Sequence, residues 1–238
     1  ILTMAALADI FTDSYEPCTY MAVCKDGKMG ELQKVSFGTK VAELVGDADV
    51  KAIAIGTKLY DASAMDLVIE ADTQIGNGVI TVYSSKCCMI HETEEVLLAE
   101  RKQSCGKCTF CREGLIQLHT MVKEITEGQG KKEFTDMMEE IGEAMTFSTP
   151  CTMGQTASDF AMGSLKYFAG EYEDHIKKKK CANNVCSAFM SIYIDPDLCE
   201  GCEECADVCP ADAIEGKSGY IHMIDEFECT KCGKCISA

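Results

Sequence analysis

The chain has 238 residues, which is enough for one large domain or for two to three small ones. Its 39 acidic and 22 basic residues give a formal net charge of −17, which argues against a nucleic-acid partner because phosphates would be repelled. No apolar run approaches the roughly 18 residues of a membrane helix, so we expect a soluble protein with no membrane span.

Seventeen cysteines are the most unusual feature of the composition. They are odd in number, no secretory signal precedes them, and most occur in C-x-x-C pairs, which are poor disulfide frameworks but natural metal-binding turns. We therefore expect metal ligands in a reduced cytosol. The chain begins ILTMAALADIF, without an initiator methionine, and we interpret residues 1–14 as the end of a preceding segment or a tail.

Residues 15–90 are predicted to be rich in β-structure. The segment LQKVSFGTKVAELVGD predicts a short strand, a tight turn at Gly38 and a helix, while VKAIAIG and VITVY are short apolar strands. Gly76 and Gly78 are interpreted as turn residues, since a lone G-x-G without a following phosphate-binding helix is too weak to indicate a nucleotide site. The pattern favours a small β-grasp unit.

From residue 91 to residue 178 the apolar residues follow a helical period. The segments that carry it are ETEEVLLAERKQ, CREGLIQLHTMVKEIT, KKEFTDMMEEIGEAM and QTASDFAMGSLKYFAGEYEDHIK. We therefore predict a bundle of about four helices. Four methionines are expected to fill its core, namely Met137, Met138, Met145 and Met162.

The helical region also contains a candidate iron–sulfur site. SCGKCTFCREG supplies Cys105, Cys108 and Cys111, and TPCTMGQTA supplies Cys151. Three ligands on a turn between helices plus one remote ligand suit a 4Fe–4S cube. These four residues are called the bundle cysteines below.

Residues 191–238 contain an internal repeat with an offset of 30 residues. IDPDLCEGCEECADVCP starts at Ile194, and IDEFECTKCGKCISA starts at Ile224. The first copy has the C-x2-C-x2-C-x3-C-P run of bacterial two-cluster ferredoxins, in which thiolates at every third position wrap three corners of a cube. The cysteines of the two copies are Cys199, Cys202, Cys205 and Cys209, then Cys229, Cys232 and Cys235.

In this arrangement the fourth ligand of each cube comes from the other repeat. Cys209 is therefore expected to complete the cluster of the second repeat. The cluster of the first repeat would take its fourth ligand from a cysteine immediately after Ala238. The alternative is one tetrahedral zinc site built from two C-x2-C pairs, which would leave Cys205, Cys209 and Cys235 without a role.

SCGKCTFCREG followed by CTMGQTA resembles the C-terminal part of the NADH-binding flavoprotein subunit of respiratory complex I. KYFAGEYEDHI with the two-cluster tail is more similar to the homologous β subunit of bacterial NAD-linked and electron-bifurcating hydrogenases and formate dehydrogenases. The β unit resembles that family's soluble-ligand-binding β-grasp domain, so the likeness covers most of residues 30–238. This sequence departs from the family pattern at Phe110, where the family usually has proline, and at the TP before Cys151. Neither difference removes a ligand.

The family's flavin and NADH site lies in an upstream domain, and nothing in this sequence resembles its glycine-rich segment. The resemblance therefore implies that these residues bind neither FMN nor NAD. Two interpretations stay open. The chain is either an electron-transfer subunit without the flavin domain, or the C-terminal part of a full FMN-containing NADH dehydrogenase subunit.

A further set of ligands is less regular. His175, Cys181 and Cys186 follow the last predicted helix, and Cys88 lies where hydrogenase-type relatives tend to carry a cysteine. Three thiolates and one imidazole would form a zinc site that ties the β-grasp unit to the linker before the ferredoxin arm. Cys87 is a competing ligand. Alternatively, His175 is a cation at the end of a helix, and Cys181 and Cys186 are free thiols.

The sequence thus predicts an α+β protein with a β-grasp unit at 15–90, a helical bundle at 91–178, a linker at 179–190 and a ferredoxin-like domain at 191–238. We expect three 4Fe–4S clusters, with one zinc ion held by Cys88, His175, Cys181 and Cys186. No nucleophile–base pair or pair of catalytic carboxylates is visible, so these residues are expected to hold no catalytic centre of their own.

The function that follows is electron transfer within a multi-subunit NAD-linked or electron-bifurcating oxidoreductase of an anaerobe's cytoplasm. The expected partners are flavoprotein, hydrogenase or dehydrogenase subunits and a ferredoxin-like carrier. A zinc-binding assembly scaffold is the contrasting alternative.

Overall fold

The computed structural model describes residues 10–12, 16–25 and 27–238, so the expectation for residues 1–14 falls largely outside the described residues. The strands are β1 (Cys18–Lys25), β2 (Lys28–Met29), β3 (Gln33–Ser36), β4 (Ala52–Ile55), β5 (Lys58–Asp61), β6 (Val79–Tyr83), β7 (Ile214–Glu215) and β8 (Met223–Ile224). The α-helices are α1 (Val41–Val45), α2 (Met89–Gln103), α3 (Thr109–Thr126), α4 (Phe134–Ser148), α5 (Thr152–Thr156), α6 (Asp159–Tyr167), α7 (Ala169–Ile176) and α8 (Glu204–Asp207). Short 3-10 turns span Ala62–Asp66, Ser187–Phe189 and Lys234–Ile236.

Strands β1 to β6 form one mixed sheet in the order β2-β1-β6-β4-β5, with β3 paired to β1. β1 and β6 run parallel with Ala22 opposite Val79, and the remaining pairs in this sheet are antiparallel. The first long strand therefore lies beside the last one, as expected for a β-grasp unit. The helix α1 covers one face of the sheet through Val41 and Val45, which are buried.

Strand β4 is buried on both faces because its four residues AIAI alternate between two layers. Its isoleucines pack in the core of the sheet unit, whereas its alanines pack against Met89 and Phe160 of the helical region. The small alanine side chains let helix α6 approach closely. At Gly163 an added Cβ would lie 2.5 Å from the carbonyl oxygen of Leu59, so the sheet and the bundle share a tight interface.

The helical region is confirmed, but its last predicted segment is divided into α5, α6 and α7 instead of one long helix. Phe168 has backbone dihedral angles that are not α-helical, with φ −121° and ψ 28°, so helix α6 ends there. This break places Phe168 in the layer between sheet and bundle, while Tyr172 of α7 is buried in the bundle core. The longest helix, α3, has 18 residues and is amphipathic. In the described part of the chain, no helix is both long and apolar enough to cross a membrane.

Three of the four methionines behave as predicted. Met138 and Met145 are fully buried in the bundle core, and Met162 packs against it half-buried. Met137 is 46% exposed, so its prediction as a core residue was wrong. Neighbouring residues of an α-helix point about 100° apart, and α4 turns Met138 inward, which leaves Met137 on the solvent side.

In residues 191–238, the backbone hydrogen bonds repeat as well as the sequence. The amide of Cys199 donates to the carbonyl oxygen of Asp195 at 3.0 Å, and the amide of Cys229 donates to that of Asp225 at 3.0 Å. The donors Cys199 and Cys229 are 30 residues apart, and so are the acceptors Asp195 and Asp225. Strands β7 and β8 pair antiparallel between the two copies, with Ile214 opposite Ile224.

Candidate metal and iron–sulfur centres

Four of the predicted ligands come together in the structure, and they are called the Cys3His site. Their ligand atoms lie within 4.8 Å of one another and all four residues are buried; they are Cys88, His175, Cys181 and Cys186. The Sγ atom of Cys88 lies 3.5 Å from His175 Nε2 and 3.8 Å from Cys186 Sγ, and Cys186 Sγ lies 3.4 Å from His175 Nε2. A tetrahedral zinc ion about 2.3 Å from each sulfur would place two thiolates about 3.8 Å apart, so this donor set fits zinc.

The ligands come from three parts of the chain. Cys88 is the residue before helix α2, His175 lies in the last turn of α7, and Cys181 and Cys186 follow in the loop after α7. Cys87 is not part of the set, since its Sγ atom lies 3.8 Å from Ser84 Oγ instead. The grouping favours a metal site over the alternative of unrelated free thiols and a histidine cation at the helix end.

The orientation of His175 suits metal binding. Its Nδ1 atom lies 2.8 Å from the carbonyl oxygen of Glu171, an acceptor, so Nδ1 is the donor. Nε2 is then left facing the thiols, which is the usual arrangement of a metal-bound imidazole with a fixed tautomer. The ring of Phe189 packs edge-on against the imidazole with centroids 5.0 Å apart. The site is therefore shielded from water on the linker side.

The metal-free site is strongly polarised. Hydrogen bonds from Cys186 and His175 lower the pKa of Cys88 to about 3. Burial by itself would lower the pKa of His175, but the hydrogen bond to the Cys88 thiolate and the charge of that thiolate raise it to about 9. The hydrogen bond to the same thiolate, together with burial, raises the pKa of Cys186. The site thus holds a thiolate next to an imidazolium before any metal binds.

The bundle cysteines lie at the beginnings of two helices. Cys108 directly precedes α3 and Cys151 directly precedes α5, and neither side chain caps its helix. The first-turn N–H groups and the positive end of each helix dipole therefore favour negative charge there. Cys111 is buried in the first turn of α3, with its Sγ atom 3.4 Å from Ser104 Oγ, and Cys105 is exposed in the preceding loop.

The ferredoxin-like region brings Cys209 to the second repeat. Cys209 lines the same cavity as Cys229, Cys232 and Cys235. This is the set that the repeat predicted, and four thiols around one cavity fit a cube with four cysteine ligands. In the first repeat, burial, together with the electrostatic influence of Cys202 and Cys199, raises the pKa of Cys205.

Sequence reasoning did not identify the groups around these thiols. Backbone amides donate to sulfur at three places: Ala213 to Cys209 at 3.4 Å, His222 to Cys199 at 3.5 Å, and Lys231 to Cys229 at 3.4 Å. Such N–H···S bonds stabilise the extra negative charge of a reduced cluster. His222 itself is buried. Every residue except proline has an N–H, so residue identity carried no signal for these donors.

Two regions of the chain match known iron–sulfur domains. Residues 92–175 match the NADH-ubiquinone oxidoreductase-F iron-sulfur binding region, and residues 191–238 match the 4Fe-4S dicluster domain. The chain is accordingly an iron–sulfur protein related to NADH dehydrogenase flavoprotein and NADP-reducing hydrogenase subunits.

Among curated relatives, the HndC protein of the NADP-reducing hydrogenase of Solidesulfovibrio fructosivorans is 35% identical over 148 residues, which are 62% of this chain and 30% of that protein. NADH-quinone oxidoreductase F of Streptomyces coelicolor is 30% identical over 111 residues, 47% of this chain and 25% of that protein. The chain thus spans less than a third of these relatives. The fold is shared with an NAD+-reducing [NiFe]-hydrogenase solved in the H2-reduced state, with TM-score 0.62, 17% identity, and coverage of 69% of this chain and 30% of the other.

Proposed function

We propose that this chain relays electrons through three 4Fe–4S clusters within an NAD-linked or electron-bifurcating oxidoreductase. The observation that carries the proposal is the meeting of Cys209 with Cys229, Cys232 and Cys235 around one cavity. A single zinc site uses only four ligands, so zinc would not account for the thiols of both repeats. Two interlocked cubes use the thiols of both repeats.

The protein's own groups supply ligands and charge stabilisation. The proposed ligand sets are the bundle cysteines for one cluster, Cys209 with the thiols of the second repeat for another, and Cys199, Cys202 and Cys205 for the third. Each cluster, when bound, takes up and gives up single electrons. The helix N-termini beside Cys108 and Cys151 and the N–H···S bonds of the two repeats would offset the charge of the reduced state. We propose no bond-making centre among these residues.

The Cys3His site is proposed to hold a structural zinc ion. Its four donors are buried, and together they would complete the tetrahedral shell of a zinc ion and leave no position for a water or a substrate, as is usual for structural zinc. The ion would join the start of α2, the end of α7 and the linker that leads to the ferredoxin-like region. It would thereby fix where that region leaves the bundle.

A second candidate is that the chain is the C-terminal part of a full FMN-containing NADH dehydrogenase subunit. It is favoured by the similarity to NADH-quinone oxidoreductase F, of which the chain matches 25%. In both candidates the partners are other subunits of a redox complex and a ferredoxin-like carrier, and the reduced thiols suit the cytoplasm.

Anaerobic purification of the native protein tests the main proposal. We expect a brown protein with about 12 irons per chain, since each 4Fe–4S cluster holds four, and about one zinc. A colourless protein that contains zinc but no iron would eliminate the electron-transfer role. Flavin content and intact mass of the same sample separate the two candidates, because a flavoenzyme would contain FMN and be much heavier than 25.9 kDa.

A further inference from the structure

We propose that Lys51 is a positioning residue for the Cys3His site, organising its ligands from outside the coordination shell. This inference rests on the proposed zinc site. Lys51 lies directly before strand β4 in the sheet unit, and its amide donates to the carbonyl oxygen of Tyr83 at 2.8 Å. None of the four ligands is a sequence neighbour of Lys51.

The Lys51 ammonium group has three N–H donors, and the structure offers it three acceptors. Nζ lies 2.6 Å from the carbonyl oxygen of Cys87, 2.7 Å from Glu171 Oε1 and 3.3 Å from Asn183 Oδ1. The side chains of Lys51 and Glu171 are each 19% exposed, so this ion pair is largely removed from water. Charge-assisted hydrogen bonds in such surroundings are stronger than exposed ones.

Each acceptor belongs to a different ligand-bearing segment. Cys87 is joined by its peptide bond to Cys88. Glu171 lies one helical turn before His175, and its carbonyl oxygen receives the His175 Nδ1 hydrogen bond. Asn183 lies in the loop after α7, between the two cysteine ligands of that loop. One ammonium group thus holds all three segments that supply ligands.

Two further contacts close the network. The second carboxylate oxygen of Glu171 accepts from the amide of Met89 at 3.0 Å, at the beginning of α2. Asn183 Nδ2 donates to the carbonyl oxygen of Ser85 at 2.6 Å. The start of α2, helix α7 and the linker loop are therefore cross-connected even apart from Lys51, and Lys51 lies at the centre of these contacts.

Because Lys51 is paired with the Glu171 carboxylate, the pair adds no net charge beside the site, and Lys51 acts by holding the ligand-bearing segments in place. Outer contacts that orient metal ligands typically contribute about 10-fold to 100-fold to metal affinity.

The test is the substitution Lys51→Met in the full native protein, which keeps the apolar stem and removes the ammonium group. We expect zinc to be transferred to a competing chelator at about 10-fold to 100-fold lower chelator concentration than in the wild type, with the iron content unchanged. The matched control is Lys58→Met on strand β5, whose Nζ atom donates to Gln74 Oε1 at an exposed position. Zinc retention in this control should equal that of the wild type.

Asn183→Ala removes one of the three acceptors and also the Nδ2 donation to Ser85, whereas Asn183→Asp keeps the acceptor and loses only that donation. Asn183→Ala should weaken zinc retention less than Lys51→Met, and Asn183→Asp should weaken it less than Asn183→Ala; this difference keeps the test decisive if Lys51→Met does not fold. If the wild type holds zinc and Lys51→Met and Asn183→Ala retain it equally well, the role of Lys51 is wrong, even if thermal stability falls. If the wild type holds no zinc, the proposed site itself fails.

Discussion

Gly201 and Lys231 occupy matching positions of the two ferredoxin-like repeats and share the left-handed backbone conformation, with φ of +72° and +53°. They differ in their surroundings. A Cβ at Gly201 would lie 2.6 Å from the amide nitrogen of Tyr220, whereas Lys231 carries a full side chain whose Nζ atom donates to the carbonyl oxygen of Ala188 at 3.1 Å. The loop around Gly201 is thus packed against the backbone near Tyr220, whereas the loop around Lys231 contacts the linker at Ala188.

Gly201→Ala should therefore disrupt the first loop. The added methyl group must push against backbone and also adopt a strained conformation, so we expect a loss of about 1–3 kcal/mol of stability. The cluster held by Cys199, Cys202 and Cys205 should be lost first, as measured by iron content and EPR of the reduced protein. Lys231→Ala, which keeps a Cβ in the same conformation, is the control and should leave iron content unchanged. Equal behaviour of the two variants would contradict this account.

Cys209→Ala tests how the two repeats share ligands. Because Cys209 lies with the cysteines of the second repeat, its loss should remove the same EPR signal as Cys232→Ala, with up to about four irons lost per chain. Cys202→Ala should remove a different signal. If Cys209→Ala and Cys202→Ala remove the same signal, each repeat keeps its own four ligands and the shared arrangement is wrong. Cys24→Ala, outside all proposed sites, serves as the control.

Two helical glycines, Gly163 of α6 at the sheet–bundle interface and Gly170 of α7 on the surface, should respond in opposite directions to alanine. At Gly163 the new Cβ would meet the carbonyl oxygen of Leu59 at 2.5 Å, so Gly163→Ala should lower the free energy of unfolding by about 1–3 kcal/mol. Gly170 has no neighbouring atom within 4 Å of the added Cβ, and alanine there should stabilise α7 by up to about 1 kcal/mol. Chemical denaturation measures both. Destabilisation of similar size in both variants would show that helix packing at Leu59 is not the cause.

Zinc binding to the metal-free protein should depend on pH. The imidazolium of His175, whose pKa is raised to about 9, and the thiol of Cys186, whose pKa is also raised, must lose protons before they can bind zinc. The thiolate of Cys88 is already formed, since its pKa is about 3. Affinity should therefore increase as the pH rises from about 6 to about 9, by up to tenfold per unit for each proton released. Chelator competition at several pH values measures this, and a flat profile would contradict the proton-coupled site.

His175→Ala should abolish zinc retention while leaving the iron content unchanged, because no proposed iron ligand comes from α7. The expected consequence is a more mobile ferredoxin-like region, which limited proteolysis of the linker around Phe189 would detect as faster cleavage. His91→Ala, on helix α2, is the control. Loss of iron together with zinc would mean that the ligand assignment is wrong.

The regular elements and the two iron–sulfur regions were largely predictable, because their signals are local. Cysteines at every third position and a 30-residue repeat directly specify a ligand loop, and apolar residues at helical spacing specify the bundle. The break at Phe168 and the exposure of Met137 were not predicted. Both depend on which neighbouring layer each side chain meets, and a periodic pattern does not contain that information.

The sequence by itself thus determined that the chain contains two iron–sulfur regions, and the sharing of ligands between the two repeats stays a prediction. Tertiary structure decided the Cys3His site. It brought Cys88 next to His175 across 87 residues of sequence, left Cys87 outside, and placed Lys51 against the segments that carry the ligands. The physical reason is that ligands within one loop are positioned by short-range backbone geometry, whereas ligands from distant segments meet only where helices and sheet pack together.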